Sequence, residues 1–332
     1  MSKISISLIG FGRIGQVHMN HLLKNERYSI KSVCDIKPAR DFAQRYPNIE
    51  YVQDYRDVLA DEEVDAVLIC TPTSLHPEMI KAAAQANKHI LCEKPIGSDL
   101  DAIMDAYHEV KKHNIVFQLG FNRRFDDDFL SIKGQIDKIG VPHILKITSR
   151  DPEAPGLDYV KDSGGLFMDM AIHDFDMARN MFGEIEEVYV SGARLINPDY
   201  AQYGDIDTAI TTLKFANGVI GVIDNSRQAV YGYDQRLEAF GSEGMLQNAN
   251  HSDFNTVYSS NQGIQSEKPQ YFFLQRYMKS YATEAKFFAD SIQNNAEVAC
   301  TIIDGIMAVK VAQAARQSLV TGKPVRVERV PD

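Results

Sequence analysis

The stretch "ISISLIGFGRIGQ", residues 4–16, decides how the first half of this chain folds. It opens with Ile and Ser in alternation and closes on Leu8 and Ile9, which reads as a buried strand. Gly10-Phe11-Gly12-Arg13-Ile14-Gly15 follows as G-x-G-x-x-G, and an amphipathic stretch begins at residue 14. The first two glycines permit a tight turn and close approach of the backbone to a pyrophosphate, which the N-terminus of the next helix attracts. These six residues are expected to hold a dinucleotide. Asp35 ends the next apolar run, 20 residues after Gly15. An acid there can accept hydrogen bonds from both ribose hydroxyls of an adenosine and repel a 2′-phosphate. NAD is therefore expected ahead of NADP, although Lys37 and Arg40 stand just beyond and could attract a phosphate.

Outward from this loop, short apolar runs at 4–10, 29–35, 64–70, 89–94 and 114–120 alternate with amphipathic stretches at 14–25, 38–46, 76–87 and 98–113. Near-continuous apolar strands alternating with helices imply a parallel sheet covered on both faces. Residues 1–121 are expected to form an α/β domain with a doubly wound, Rossmann-type parallel sheet. After Gly120 the pattern changes. Helices are expected at 124–139 and 165–182, with an extended segment at 143–150 between them. From about residue 186 the chain alternates with period two in "EVYVSGARL", "DTAITTLKF", "VIGVIDNSR" and "QRLEAFG", and Asn217-Gly218 marks a hairpin turn. Residues 259–270 read as a loop, and helices return at 271–293 and 301–320. Residues 122–332 are thus expected to form an α+β domain with a large open, mainly antiparallel sheet. Its last helix is expected to pack back on the first domain.

The totals narrow the class. Of 332 residues, 35 are basic and 45 acidic, a net charge of −10 that argues against nucleic acid and anionic membrane as partners. No apolar run approaches the length of a membrane span, and the N-terminus lacks the apolar core of a secretory signal. The four cysteines have no C-x-x-C spacing, and three of them end or flank apolar runs, where they read as buried thiols. A cytoplasmic location is the simplest expectation.

Three further segments carry chemistry. "CTPTSLHPEMI", 70–80, comes at the C-terminal end of an apolar run, where the ligand crevice of an open parallel sheet lies. Thr71, Pro72, Thr73 and His76 are candidates to line the dinucleotide. "CEKPIG", 92–97, stands at the next such edge with Glu93 and Lys94. Lys94 is either an ammonium beside the nicotinamide, stabilising a developing alkoxide, or a solvated lysine paired with Glu93. In "GGLFMDMAIHDFDMARNM", 164–181, Asp169 and His173 are four apart and His173 and Asp176 three apart, which puts them on one face of an α-helix. Such a face can be a self-satisfied ion pair, a metal site or a catalytic group. Three ligands on one helix need a fourth group or waters, and no zinc spacing is present, so no metal is expected.

Taken together, G-x-G-x-x-G, then E-K-P, then G-G-x-x-x-D-x-x-x-H-D resembles the Gfo/Idh/MocA oxidoreductase family over essentially the whole chain. "IHDFDMAR" and "YGYDQRLEAFGSEGML", 231–246, resemble its inositol 2-dehydrogenase branch. The resemblance implies a catalytic trio of Lys94, Asp169 and His173, with Arg123, Asp176 and Tyr233 in the substrate pocket. It also implies an open sheet used for oligomer contacts, as a homotetramer or homodimer. Some relatives have a histidine and an asparagine where this chain reads "SRDPEAP", 149–155. Asp151 therefore joins the substrate candidates, and the choice of ring isomer shifts with it.

Oxidising a secondary alcohol needs a hydride acceptor and a base, and His173 is the natural base. Asp169 would orient its imidazole or hold a neighbouring hydroxyl, Lys94 would polarise the same oxygen, and Asp176 would grip a second hydroxyl. The expected activity is NAD-dependent oxidation of a small cyclic polyol, myo-inositol to 2-keto-myo-inositol. Alternatives are scyllo-inositol or another ring isomer, an aldose, or a nicotinamide-sensing protein without turnover.

Overall fold

The computed structural model describes residues 2–37 and 40–330. The chain divides into two compact units, one of residues 1–125 with 279–309 and one of residues 126–278 with 310–332. The sequence boundary at 121 thus moves to Phe125, and residues 279–309 count with the first unit.

In the first unit six parallel strands, β1 (Ile4–Ile9), β2 (Tyr28–Cys34), β3 (Glu50–Val52), β4 (Ala66–Ile69), β5 (His89–Glu93) and β6 (Phe117–Gly120), lie in the order β3-β2-β1-β4-β5-β6. That is the doubly wound order, and its direction reverses between β1 and β4. Helices α1 (Arg13–Leu22), α2 (Phe42–Arg45), α3 (Tyr55–Ala60), α4 (His76–Gln85) and α5 (Leu100–Lys112) connect the strands. The expected helix at 38–46 is shorter, and its residues 38 and 39 lie outside the described residues. β3 and α3 are too short to show a period and were not expected. Ile4, Ile6 and Leu8 of β1 form one core with Met19 and Leu22 of α1 and with Ala285, Phe288 and Ala289 of a later helix.

The second unit opens with a broken segment where one helix was expected. α6 (Asp127–Gly134) is flanked by 3-10 turns at Asn122–Phe125, which belongs to the first unit, and Ile136–Ile139. Asp126 caps α6 by accepting from the N–H groups of Asp128 and Phe129. Then come β7 (Pro142–Arg150), α7 (Leu157–Ser163), α8 (Ile172–Phe182), β8 (Ile185–Ala193), β9 (Thr208–Phe215), β10 (Ile220–Ser226), β11 (Asp234–Gly241) and β12 (Met245–Gln247). A hairpin of β13 (Val257–Ser260) and β14 (Gly263–Ser266) follows, then α9 (Phe273–Arg276), α10 (Met278–Asn294), α11 (Ile302–Thr321) and β15 (Val325–Arg326).

Seven strands form one sheet in the order β12-β11-β7-β10-β9-β8-β15. It is mainly antiparallel, as expected, but it is not a simple meander. β7 inserts between β11 and β10 and runs parallel to β10, and every other pairing is antiparallel. The β9–β10 turn is as expected, with Gly218 in the left-handed region at φ +89°. One sheet face is buried and the other is open. On the open face Ile144 faces Ile220 and Phe240 across the register, among ion pairs Lys146–Glu238 and Arg150–Asp224.

Two other expectations change. The loop at 259–270 contains β14 and the end of β13, whose polar side chains (Ser259, Ser260, Gln265, Ser266) hide any alternation; all eight strand residues are exposed. The segment 165–182 is not one α-helix. A π-turn spans Phe167–Ala171 before α8 begins. Gly164 and Gly165 enter it at φ +81° and +80°, and a Cβ on Gly165 would lie 2.7 Å from Asp205 Oδ1. A π-turn widens the ring by one residue, so the spacing that puts Asp169, His173 and Asp176 on one α-helical face does not hold across it.

Candidate active site

In the first unit the glycine loop has the shape the motif demands. Gly10 adopts φ +99°, and a Cβ there would lie 2.6 Å from the backbone carbonyl of Cys70. A Cβ on Gly15 would lie 2.2 Å from the carbonyl oxygen of Gly10. A Cβ on Gly12 would meet nothing within 4 Å, so the loop is open on that side. Gly12 caps α1 without a side-chain hydrogen bond, which leaves its first N–H groups for an anion. Asp35 closes the loop from beneath. Its Oδ2 accepts from Phe11 N–H at 2.8 Å and its Oδ1 from Lys37 N–H at 2.9 Å. Each oxygen keeps a lone pair for a ribose hydroxyl. The residues present therefore fit a dinucleotide, which Gly10 to Gly15 and Asp35 would hold.

Thr71, Pro72 and Thr73 leave the end of β4, beside β1 at the point where strand order reverses. His76, expected to line the cofactor, has both ring nitrogens against protein carbonyls. It is 1% exposed, with Nδ1 2.7 Å from the Pro95 carbonyl and Nε2 2.8 Å from the Thr71 carbonyl. Burial pushes its imidazole below the ordinary value even though both carbonyls favour the proton. Glu93 is likewise occupied by protein. Its Oε1 lies 2.7 Å from His18 Nε2, and its Oε2 accepts from Lys94 N–H at 3.2 Å. Both residues shape the edge from which Lys94, half-buried, projects.

A second buried acid lies on the same side of the sheet as Glu93. Gln118 of β6 pairs with Leu91, and Gly120 pairs with Glu93, so Gln118 and Glu93 point to one face. Gln118 Nε2 donates to the Glu284 carbonyl of α10 at 3.1 Å, and the Glu284 side chain is 0% exposed. Burial pushes its carboxyl well above the usual range, and the charge of Glu93 adds to that.

In the second unit Asp169 sits in the π-turn with two donors on its carboxylate. Tyr159 Oη donates to Oδ1 at 2.8 Å, and Arg227 Nη1 donates to Oδ2 at 3.2 Å. Arg227 is 1% exposed and its Nη2 lies 3.8 Å from Asp205 Oδ2. Burial works against its charge, but Asp169, Asp205 and Asp151 outweigh it and hold the guanidinium above its ordinary value. Sequence reasoning passed over Arg227. The signal was the alternation of β10, whose inward positions Gly221, Ile223 and Asn225 continue to Arg227.

His173 is the second residue of α8 and is half-buried, while Asp176, one turn on, is 1% exposed. Asp174 between them is fully buried, its Oδ2 accepting from Asn225 Nδ2 at 2.8 Å. Tyr233 precedes β11, with its ring edge-on to Tyr277 at 6.0 Å. Next to it Asp234 is buried. Burial opposes its charge, yet hydrogen bonds from Arg236, Tyr231 and Asn250 prevail and hold it below the usual carboxylate range. Asp151, half-buried, follows β7 and is anchored through its backbone to Ser226 and Ala229. Arg123 belongs to the first unit, buried in the 3-10 turn after β6. Among the described residues no group of three or more His, Cys, Asp or Glu side chains is arranged to hold a metal, and no helix is long and apolar enough to cross a membrane.

This geometry has close counterparts. The chain is 50% identical over 332 residues to a Bacillus subtilis (strain 168) protein described as uncharacterized oxidoreductase YrbE, covering 98% of this chain and 97% of that one. It is 41% identical over 330 residues to the myo-inositol 2-dehydrogenase of Thermotoga maritima, covering 98% and 99%. Its fold matches the crystal structure of scyllo-inositol dehydrogenase from Lactobacillus casei with bound NAD(H) and scyllo-inositol, with a TM-score of 0.91, 31% identity and coverage of 98% and 99%. Residues 4–121 match the model of an oxidoreductase family with an NAD-binding Rossmann fold, and residues 132–247 match the GFO/IDH/MocA C-terminal domain. The cofactor is NAD, and the chain belongs to the Gfo/Idh/MocA family of oxidoreductases.

Proposed function

We propose that this protein oxidises a hydroxyl of a cyclic polyol, with myo-inositol converted to 2-keto-myo-inositol as the leading reaction. The observation that carries this reading is full-length similarity to inositol dehydrogenases together with an intact E-K-P and D-x-x-x-H set, Lys94, Asp169 and His173. When bound, NAD supplies the hydride acceptor. His173 takes the hydroxyl proton, Lys94 stabilises the developing alkoxide, and Asp169 supports the base. Asp176, Arg123, Asp151 and Tyr233 hold the remaining ring hydroxyls. A polyol rewards such a site, because a missing hydroxyl leaves a buried polar group unpaired.

The first unit carries NAD, and the second binds substrate. The exposed Ile144, Ile220 and Phe240 on the open sheet support self-association there as a homodimer or homotetramer. Light scattering that returns a monomer refutes this assembly.

Similarity to a structure holding scyllo-inositol makes that isomer the second candidate. The deciding experiment follows NADH absorbance with NAD or NADP and myo-inositol, scyllo-inositol, D-chiro-inositol and glucose. Turnover with NAD and myo-inositol is the expected result. Preference for another member changes the substrate and keeps the chemistry. NAD binding without turnover on any member refutes the dehydrogenase reading.

A further inference from the structure

We propose that Arg227 is a positioning residue: its guanidinium staples the π-turn at Phe167–Ala171 and so fixes the carboxylate of Asp169 for its work beside His173. This rests on the catalytic reading of Asp169 and His173 given above. The staple reaches both flanks of the turn. At the entry, Asp205 Oδ1 accepts from Leu166 N–H at 2.8 Å, while its Oδ2 faces Arg227 Nη2 at 3.8 Å. Within the turn, Asp169 Oδ2 accepts from Arg227 Nη1 at 3.2 Å. Arg227 is itself anchored where β10 ends, its N–H donating to the Asp207 carbonyl at 2.9 Å.

Three features point to positioning rather than mere packing. A π-turn is a costly local geometry that persists where the surroundings impose it. A buried guanidinium is expensive unless its charge is matched, and among the described residues Arg227 Nε and Nη2 have no hydrogen-bond acceptor, which leaves the Nη1 bond to Asp169 as the support of its side chain. Tyr159 holds the other oxygen of Asp169, which leaves the carboxylate little freedom to rotate.

The test is a double-mutant cycle on the full-length, NAD-loaded protein with Arg227→Gln and Asp169→Ala. Arg227→Gln should lower kcat by about 100-fold while changing the Kd for NAD by less than about twofold. In the Asp169→Ala background the same change should cost less than about threefold, because its target is already gone. Losses that multiply, or a variant with wild-type kcat, overturn the proposal. Should Arg227→Gln not fold, Arg227→Lys replaces it in the cycle. Lysine keeps the charge but not the fork, and a loss of about tenfold is expected, with wild-type kcat again overturning the proposal. Hydrogen exchange supplies a readout that needs no turnover. Removing Arg227 should raise exchange at residues 166–173 and leave β8 and β9 as in the wild type; unchanged exchange at 166–173 overturns the staple. If no polyol is turned over even by the wild type, the functional reading fails, and exchange alone decides whether Arg227 holds the turn.

Discussion

Asp169 and Asp205 in the second unit share the guanidinium of Arg227, whereas Glu93 and Glu284 in the first unit share one side of a sheet with the imidazole of His18 on Glu93. Both clusters bury carboxyl groups, and they meet the cost of desolvation in different ways. Next to Arg227 the negative charges are matched, and the cation is held above its ordinary value by its acids. Glu284, enclosed and facing the charge of Glu93, keeps its proton instead. A buried acid can serve as an anion only where a cation or hydrogen-bond donors compensate for the lost water. The second unit has that arrangement at the residue the proposed chemistry needs, and the first has it elsewhere.

The largest effect should come from breaking the matched cluster. Asp169→Ala leaves Arg227 buried with only the longer Asp205 pair, and should cost about 3 kcal/mol of stability in urea unfolding, beside a loss of activity of about 100-fold or more. A stability change under about 0.5 kcal/mol would mean that Arg227 does not depend on Asp169.

A carboxylate that is neither deeply buried nor paired with an arginine gives the next comparison. Asp35 holds the glycine loop through two backbone N–H groups. Asp35→Ser should raise the ratio of kcat/KM for NADP over NAD by about tenfold or more, since the repulsion of a 2′-phosphate is removed. An unchanged ratio would place the ribose contact on another residue.

The neutral acid offers a smaller effect that depends on pH. The unfolded chain releases the Glu284 proton near 4.5, while the folded chain retains it. Rising pH therefore favours unfolding across the interval between the two values, and stability falls. Glu284→Gln removes that dependence. Its Tm should match the wild type near pH 4.5 and exceed it by about 3 °C at about pH 8. A variant less stable at the higher pH would show that Glu284 works as a carboxylate. The smallest effect belongs to Tyr159→Phe, which removes one donor from Asp169 while Arg227 remains, at about 1 kcal/mol or less.

Much of the fold was legible because near neighbours determine it. The glycine loop, the parallel strands and the Asn217-Gly218 turn each announce themselves within about ten residues. The α-helical face read for Asp169, His173 and Asp176 was not secure. The π-turn lies where Gly165 meets Asp205, some 40 residues away in sequence. The insertion of β7 between β10 and β11 is equally non-local, since alternation reveals a strand but not its neighbours. Arg227 and Glu284 were legible in a different sense. Each is an ionisable residue at an inward position, one on the buried face of β10 extended and one on the apolar stripe of α10 with Tyr281, Ala285 and Phe288. Polar residues on a buried face were the overlooked signal.

The first unit's division along the chain has a consequence for biosynthesis. β1 and α1 leave the ribosome early, but Ala285, Phe288 and Ala289, which complete their core, come more than 250 residues after β1 ends. At ordinary rates of translation the nascent sheet waits on the order of ten seconds or more with apolar surface uncovered. The first unit therefore cannot complete this core until residues 285–289 have been made.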